Sequence, residues 1–203
     1  MDLILATRNN GKIREIENII LKKNLNINLL SLKDFPEISH IPEPEETFEG
    51  NALYKARYVC ERTGCVTLSD DSGLEVDALD GKPGVYSARF AGEGATDEKN
   101  NQKLLKLMQG IPFEKRGAQF RCVMVLYAKT KDYVLTQGIW RGKIALKPQG
   151  EQGFGYDPIF FDENLGKCAA MLSIDEKNKV SHRAKALEKM SKLIKPFFEM
   201  LFL

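Results

Sequence analysis

Three polar clusters interrupt the apolar and amphipathic segments of this chain, and each holds residue types suited to chemistry. The first, Thr7-Arg8-Asn9-Asn10-Gly11-Lys12, follows the apolar run Leu3-Ile4-Leu5-Ala6 and precedes a helical pattern. A helix start presents unpaired amides and the positive end of its dipole, so it favours an anion such as phosphate. Lys12 adds a mobile cation, and Gly11 lets backbone approach closely. The cluster is not a P-loop, which requires Gly where Ala6 stands and Ser or Thr where Ile13 stands. An ordinary strand-to-helix turn accounts for the same residues.

The second cluster, Ser69-Asp70-Asp71-Ser72-Gly73, comes directly after the short apolar strand Cys65 to Leu68. Ligands of open α/β sheets gather beyond the carboxyl ends of strands. Neighbouring strand residues point to opposite faces, so Asp70 and Asp71 serve different atoms, one facing a site and the other holding a turn. A carboxylate beside a polyphosphate needs a cation between them, and Mg²⁺ takes one or two carboxylates plus phosphate oxygens. The competing reading is an Asx-turn that closes the strand. The third cluster is in two pieces. Gly153-Phe154-Gly155-Tyr156-Asp157 offers an aromatic face on a glycine-rich loop, and Lys177 with Ser181-His182-Arg183 offers donors near a helix start. A purine needs both a stacking surface and a polar edge reader. Phe154 as a packing residue and His182 as a capped surface histidine are the plainer alternatives. Pro158 stands where a dinucleotide fingerprint needs its last glycine.

The elements that must position these clusters alternate. After the strand Leu3–Ala6, Ile13, Ile16, Ile19 and Ile20 recur on one helical face. Ile27 to Leu30 reads as a second strand. Asp34 to Glu46 carries three prolines and many acids and reads as a loop. Thr47 caps a helix bearing Phe48, Ala52, Ala56, Val59 and Cys60, and Thr96 caps one bearing Leu104, Leu105, Leu107 and Met108. Ala118 to Ala128 and Tyr133 to Trp140 form a loose hairpin. Pro158 to Phe161 continues the glycine-rich loop as a strand. Ser173 and Glu176 have capping-box spacing. A last helix starts near Ser181 with Leu187, Met190, Ile194 and Phe197 inward, kinked or ended at Pro196. Alternating elements followed by an antiparallel pair predict a mixed α/β sheet flanked by helices.

Thirty basic against 28 acidic residues leave a formal charge of +2, so no basic excess calls for nucleic acid and no single-sign field for a membrane surface. The four cysteines form no Cys-x-x-Cys pair and only two histidines accompany them, which argues against structural zinc and for reduced, buried thiols. No basic region followed by a long apolar run opens the chain, and the densest apolar stretches are too short to span a bilayer. A cytoplasmic protein is expected.

In order and over nearly the whole chain, six segments resemble the inosine triphosphate pyrophosphatase family, which acts on noncanonical purine nucleoside triphosphates. They are Leu5 to Lys12, Thr47 to Ala52, Ser69 to Leu74, Gly81 to Arg89, Gly153 to Pro158, and Glu176-Lys177 with Ser181-His182-Arg183. The resemblance implies a single domain over 1–203, an elongated two-lobed mixed β-sheet flanked by helices around a central cleft, and a homodimer. It implies hydrolysis of ITP, dITP and XTP to the monophosphate and pyrophosphate with Mg²⁺. Thr7, Arg8, Asn9, Asn10, Gly11 and Lys12 would bind the triphosphate. Asp71 would be the catalytic carboxylate and a metal ligand, and Ser72 would touch substrate. Phe154, Gly155, Tyr156, Asp157, Lys177, His182 and Arg183 would hold the base. A second acidic metal ligand is implied before Thr47; Glu43 is its alignment, with Glu37, Glu45 and Glu46 as alternatives. A Maf-like pyrophosphatase for other nucleotides, or a nucleotide sensor without turnover, are the competing functions.

Overall fold

Leu3, Ile4 and Leu5 are buried on both faces of strand β1 (Asp2–Leu5), as befits a parallel strand covered on two sides. The computed structural model describes residues 2–22 and 27–201. After β1 come α1 (Asn10–Lys22), β2 (Asn28–Ser31), α2 (Phe48–Thr63), β3 (Thr67–Val76) and α3 (Asp97–Leu107). Then follow β4 (Gly117–Tyr127), β5 (Tyr133–Ile144), β6 (Phe160–Asp162), β7 (Lys167–Cys168), α4 (Ile174–Val180) and α5 (His182–Met200). Among the described residues these strands form a seven-stranded mixed sheet in the order β2-β1-β3-β4-β5-β6-β7. β1 runs parallel to β2 and β3, whereas β6 runs antiparallel to β5 and β7.

The chain divides into two compact units, and it passes between them within β3, β4 and β5 and again between α4 and α5. The first comprises Met1–Asp71, Cys122–Gly138 and His182–Leu203. Its core follows the strand period: Leu3 and Leu5 pack with Cys122, Met124 and Leu126 against the isoleucines of α1 and the apolar face of α5. Ile4 and Ala6 belong to a separate cluster with Leu32, Ile38 and Val59 of α2. At Gly138 an added Cβ would lie 2.1 Å from the His182 carbonyl oxygen and 2.6 Å from the Ala186 nitrogen. Only glycine lets the first turn of α5 approach β5 this closely.

The second unit comprises Ser72–Arg121 and Ile139–Ser181. Phe120, Trp140 and Phe160 form its aromatic centre, with ring centroids 4.5–6.1 Å apart. The Trp140 indole donates to Asp162 at 2.6 Å, so the buried ring leaves no orphan donor.

The elements depart from the expectations at several boundaries; β5, for one, runs past Trp140 to Ile144. The Asp70-Asp71 cluster does not follow a strand; it lies inside β3, where buried carboxylates compensated by cations override the turn tendency of Asp-Ser-Gly. Pro158 sits in a short 3₁₀ turn, Asp157–Ile159, before β6, because it lacks the N–H a ladder needs. The segment Gly84–Arg89 forms a 3₁₀ helix. Helix α5 continues through Pro196 to Met200; Ile194, Phe197 and Phe198 bury around it and offset the lost hydrogen bond. The caps at Thr47 and Thr96 and the Ser173–Glu176 capping box form as the sequence predicts.

Candidate active site

Helix α2 buries Phe48, Asn51, Ala52, Lys55, Ala56, Val59 and Cys60 on one face. Lys55 is the anomaly: a buried ammonium requires partners. Its Nζ lies 2.7 Å from Asp71 Oδ1 and 2.8 Å from Glu43 Oε1. The proline-rich loop and β3 thereby deliver two carboxylates to one positive charge. One residue back, Asp70 turns to different cations. Its Oδ2 lies 3.0 Å from Lys12 Nζ and 3.5 Å from the Arg183 guanidinium, which also donates to Glu15 of α1. Alternation along β3 explains why adjacent aspartates find separate partners.

The network therefore holds Glu15, Glu43, Asp70 and Asp71 against Lys12, Lys55 and Arg183, one formal negative charge in excess. Burial would raise the Asp70 carboxyl, but Lys12, Arg183 and Lys55 outweigh it and hold Asp70 well below the usual carboxylate range. Burial would likewise strip the proton from Lys55, yet Asp71, Glu43 and Asp70 keep it firmly charged. At Asp71 burial wins: its carboxyl is raised above the ordinary value despite Lys55 and Lys12, and Glu43 adds to the rise. Added positive charge beside Asp71 would favour its ionised form.

The loop 7–12 is ordered by its own side chains. Asn9 Oδ1 accepts from the Lys12 amide at 3.1 Å, and Thr7 Oγ1 accepts from the Asn9 amide at 3.2 Å. Asn9 is thus the N-cap of α1. Arg8 donates to the Ile38 carbonyl at 2.6 Å and to the Leu32 carbonyl at 3.3 Å, tying this loop to the acidic one. Asn10 is exposed, and Gly11 and Lys12 are half-buried. Of the loop acids, Glu43 reaches Lys55, while Glu37, Glu45 and Glu46 are exposed.

The second unit gathers Phe154, Gly155, Tyr156, Asp157 and Lys177. Lys177 Nζ is 2.5 Å from Asp157 Oδ2 and 4.8 Å from the Phe154 ring centroid. Asp157 Oδ2 also accepts from the Phe154 amide at 2.9 Å. Gly153 has φ +79°, and an added Cβ would lie 2.0 Å from Asp157 Oδ2, so glycine is required there. The Tyr156 hydroxyl donates to the Ser87 carbonyl at 2.8 Å, linking the glycine-rich loop to Gly84–Arg89. Ser72, half-buried, opens this unit. His182 and Arg183 belong to the first unit and are buried rather than on the surface.

Lys55 and Glu15 escaped the sequence reading, although both carried a signal. Each is a charged residue at an inward position of an amphipathic helix, and such a position demands a buried counter-charge.

The Ham1 family model matches residues 3–193. A dITP/XTP pyrophosphatase of Nitratidesulfovibrio vulgaris is 48% identical over 202 residues, covering 97% of each chain. A dITP/XTP pyrophosphatase of Geobacter sulfurreducens is 50% identical over 185 residues, covering 91% of this chain and 92% of the relative. Among solved structures, a HAM1 protein from Coxiella burnetii matches with a TM-score of 0.87 at 37% identity, over 97% of this chain and 99% of that one.

Proposed function

This chain belongs to the Ham1 family, and from that premise we propose that it hydrolyses noncanonical purine nucleoside triphosphates (ITP, dITP and XTP) to the nucleoside monophosphate and pyrophosphate. The observation that carries the reading is the Lys55 ammonium held between Asp71 and Glu43, beside the Lys12–Asp70 pair. Such a cluster suits a polyphosphate, whose hydrolysis depends on positioning and charge neutralisation more than on covalent chemistry.

The cofactor we propose is Mg²⁺. Its fit rests on the donor set. Among the described residues no group of three or more His, Cys, Asp or Glu side chains gathers as a metal cage. Two carboxylates converging on one charge match the magnesium habit of one or two protein ligands, with phosphates and water supplying the rest. The negative excess of the network also leaves a triphosphate in need of further positive charge. Asp71 and Glu43 would hold the ion, which when bound would neutralise phosphate oxygens and the departing pyrophosphate.

The protein's own residues would do the remaining work. Lys12 would exchange Asp70 for a phosphate oxygen, and Thr7, Asn10 and Gly11 would present the loop backbone to the same group. Asp71 would orient the attacking water, and Ser72 would touch substrate. In the second unit Phe154 would stack on the purine, with Tyr156, Asp157 and Lys177 fixing its plane. His182 and the first turn of α5 would supply donors to the 6-oxo group, with Arg183 anchoring that turn through Glu15 and Asp70. Adenine carries a 6-amino donor instead, so each mismatched buried donor costs about 1–3 kcal/mol, and two give discrimination on the order of hundreds-fold.

We place the enzyme in the cytoplasm as a homodimer without a nucleic-acid partner. No helix among the described residues is long and apolar enough to cross a membrane. The direct test is a panel of ITP, XTP, dITP, dTTP and ATP with Mg²⁺, in which turnover should favour the 6-oxopurines. Preference for dTTP would favour the Maf-like alternative, and absence of turnover would indicate a sensor.

A further inference from the structure

The glycine-rich loop has no regular structure between Gln152 and Tyr156, yet a stacking ring must be held at a fixed height and tilt. Helix α3 supplies the restraint. The Asp97 carboxylate accepts from the Gly155 amide at 2.6 Å, and the Asn101 carboxamide donates to the Gly155 carbonyl at 3.0 Å. These bonds grip two successive peptides: the first joins Phe154 to Gly155, the second joins Gly155 to Tyr156. Asp97 and Asn101 are four residues apart, so they present one face of the helix to the loop. Between them Asn100 takes hold of the neighbouring segment, accepting from the Ala91 amide and donating to the Ala88 carbonyl. Gly155 itself sits at φ +63°, and as a glycine it has little intrinsic preference for this backbone shape over others. The Phe154 amide is already fixed by Asp157. With Asp97 on the following peptide, the backbone on both sides of the Phe154 side chain is fixed.

We propose that Asp97 and Asn101 are positioning residues for base recognition: they set the plane of the Phe154 ring and thereby the preference for 6-oxopurines. This deepens the proposed function and rests on Phe154 being the stacking residue. Neither side chain is required to touch the nucleotide. The bond from Asp97 is charge-assisted and short, so it is the stronger of the two.

The test is steady-state pyrophosphate release from ITP and ATP by the full-length wild type, Asp97→Ala, Asp97→Asn, Asn101→Ala, Phe154→Ala and the Asp97→Ala/Phe154→Ala double variant. Asp97→Ala and Asn101→Ala should raise KM for ITP by on the order of tenfold. They should leave kcat within about twofold, because ground-state and transition-state binding of the base suffer alike. The ITP-to-ATP ratio of kcat/KM should fall. Asp97→Asn keeps an acceptor oxygen and should restore most of the loss. The double variant should be little worse than Phe154→Ala alone, since the clamp acts through that ring. Additive losses, or kcat falling equally for both nucleotides together with a lower Tm, would overturn the clamp and leave Asp97 a structural residue. Unchanged KM in Asp97→Ala and Asn101→Ala, with a raised KM in Phe154→Ala, would overturn the clamp alone. An unchanged KM in Phe154→Ala would instead remove the stacking role and the clamp with it.

Discussion

Adjacent aspartates carry opposite shifts here, and their predicted roles separate accordingly. Asp71, raised by burial and bonded to Lys55, is the proposed water-orienting carboxylate. Asp71→Asn should lower kcat/KM for ITP by about 10²–10⁴-fold while circular dichroism stays unchanged; near-normal turnover would remove Asp71 from the chemistry. Lys55→Met leaves Asp71 and Glu43 facing each other without their shared cation, and breaking such a buried pair costs about 3–5 kcal/mol. Urea unfolding at pH 7 should report a loss of that order, and no loss would mean the ammonium is not what holds these acids. Asp70 is lowered, so its contribution to stability is present above the unfolded carboxylate value near pH 4 and is lost progressively as pH falls from there toward its much lower folded value. The stability gap between wild type and Asp70→Asn, measured with chelator present, should therefore be widest at pH 7 and narrow below about pH 4. A gap independent of pH would contradict the assigned shift. Asp71, shifted the other way, contributes in the opposite sense, with folding favouring its neutral form as pH falls.

At the scale of elements, α2 delivers Lys55 and its cap sets where that helix begins. Thr47 Oγ1 accepts from the Gly50 amide at 3.0 Å, and Thr47→Ala should cost about 1 kcal/mol. That corresponds to a fall in Tm of about 2–4 °C for a chain of this size. A Tm unchanged within error would deny the cap its role. This cap, the one at Thr96 and the Ser173 capping box were legible in the sequence, because a cap is a local contract between residues three apart. The extent of β3 was not legible: Asp70, Asp71, Ser72 and Gly73 read locally as a turn. What holds them extended are Lys12, Lys55 and Arg183, cations brought from 16 to 113 residues away in sequence. Of the kink or end expected at Pro196, the end does not occur, since burial of Phe197 and Phe198 decides whether α5 continues.

For the whole molecule, the net charge of +2 says nothing of a buried network four acids and three bases strong. The mixed α/β class was legible from the alternation of apolar periods, and the motifs pointed to phosphate and purine before any coordinate. The division into two units was not readable from composition, because each unit is assembled from separated stretches of chain. Lys55 shows in the sequence as a charge on the inward face of α2, but its partner on β3 is set by tertiary packing. The most direct measurement of the central claim is product analysis of ITP hydrolysis with Mg²⁺, assaying pyrophosphate, orthophosphate and IMP separately. IMP and pyrophosphate should appear in equal amounts, with the yield abolished by chelator and nearly so in Asp71→Asn; release of orthophosphate with IDP would contradict cleavage between the α- and β-phosphates.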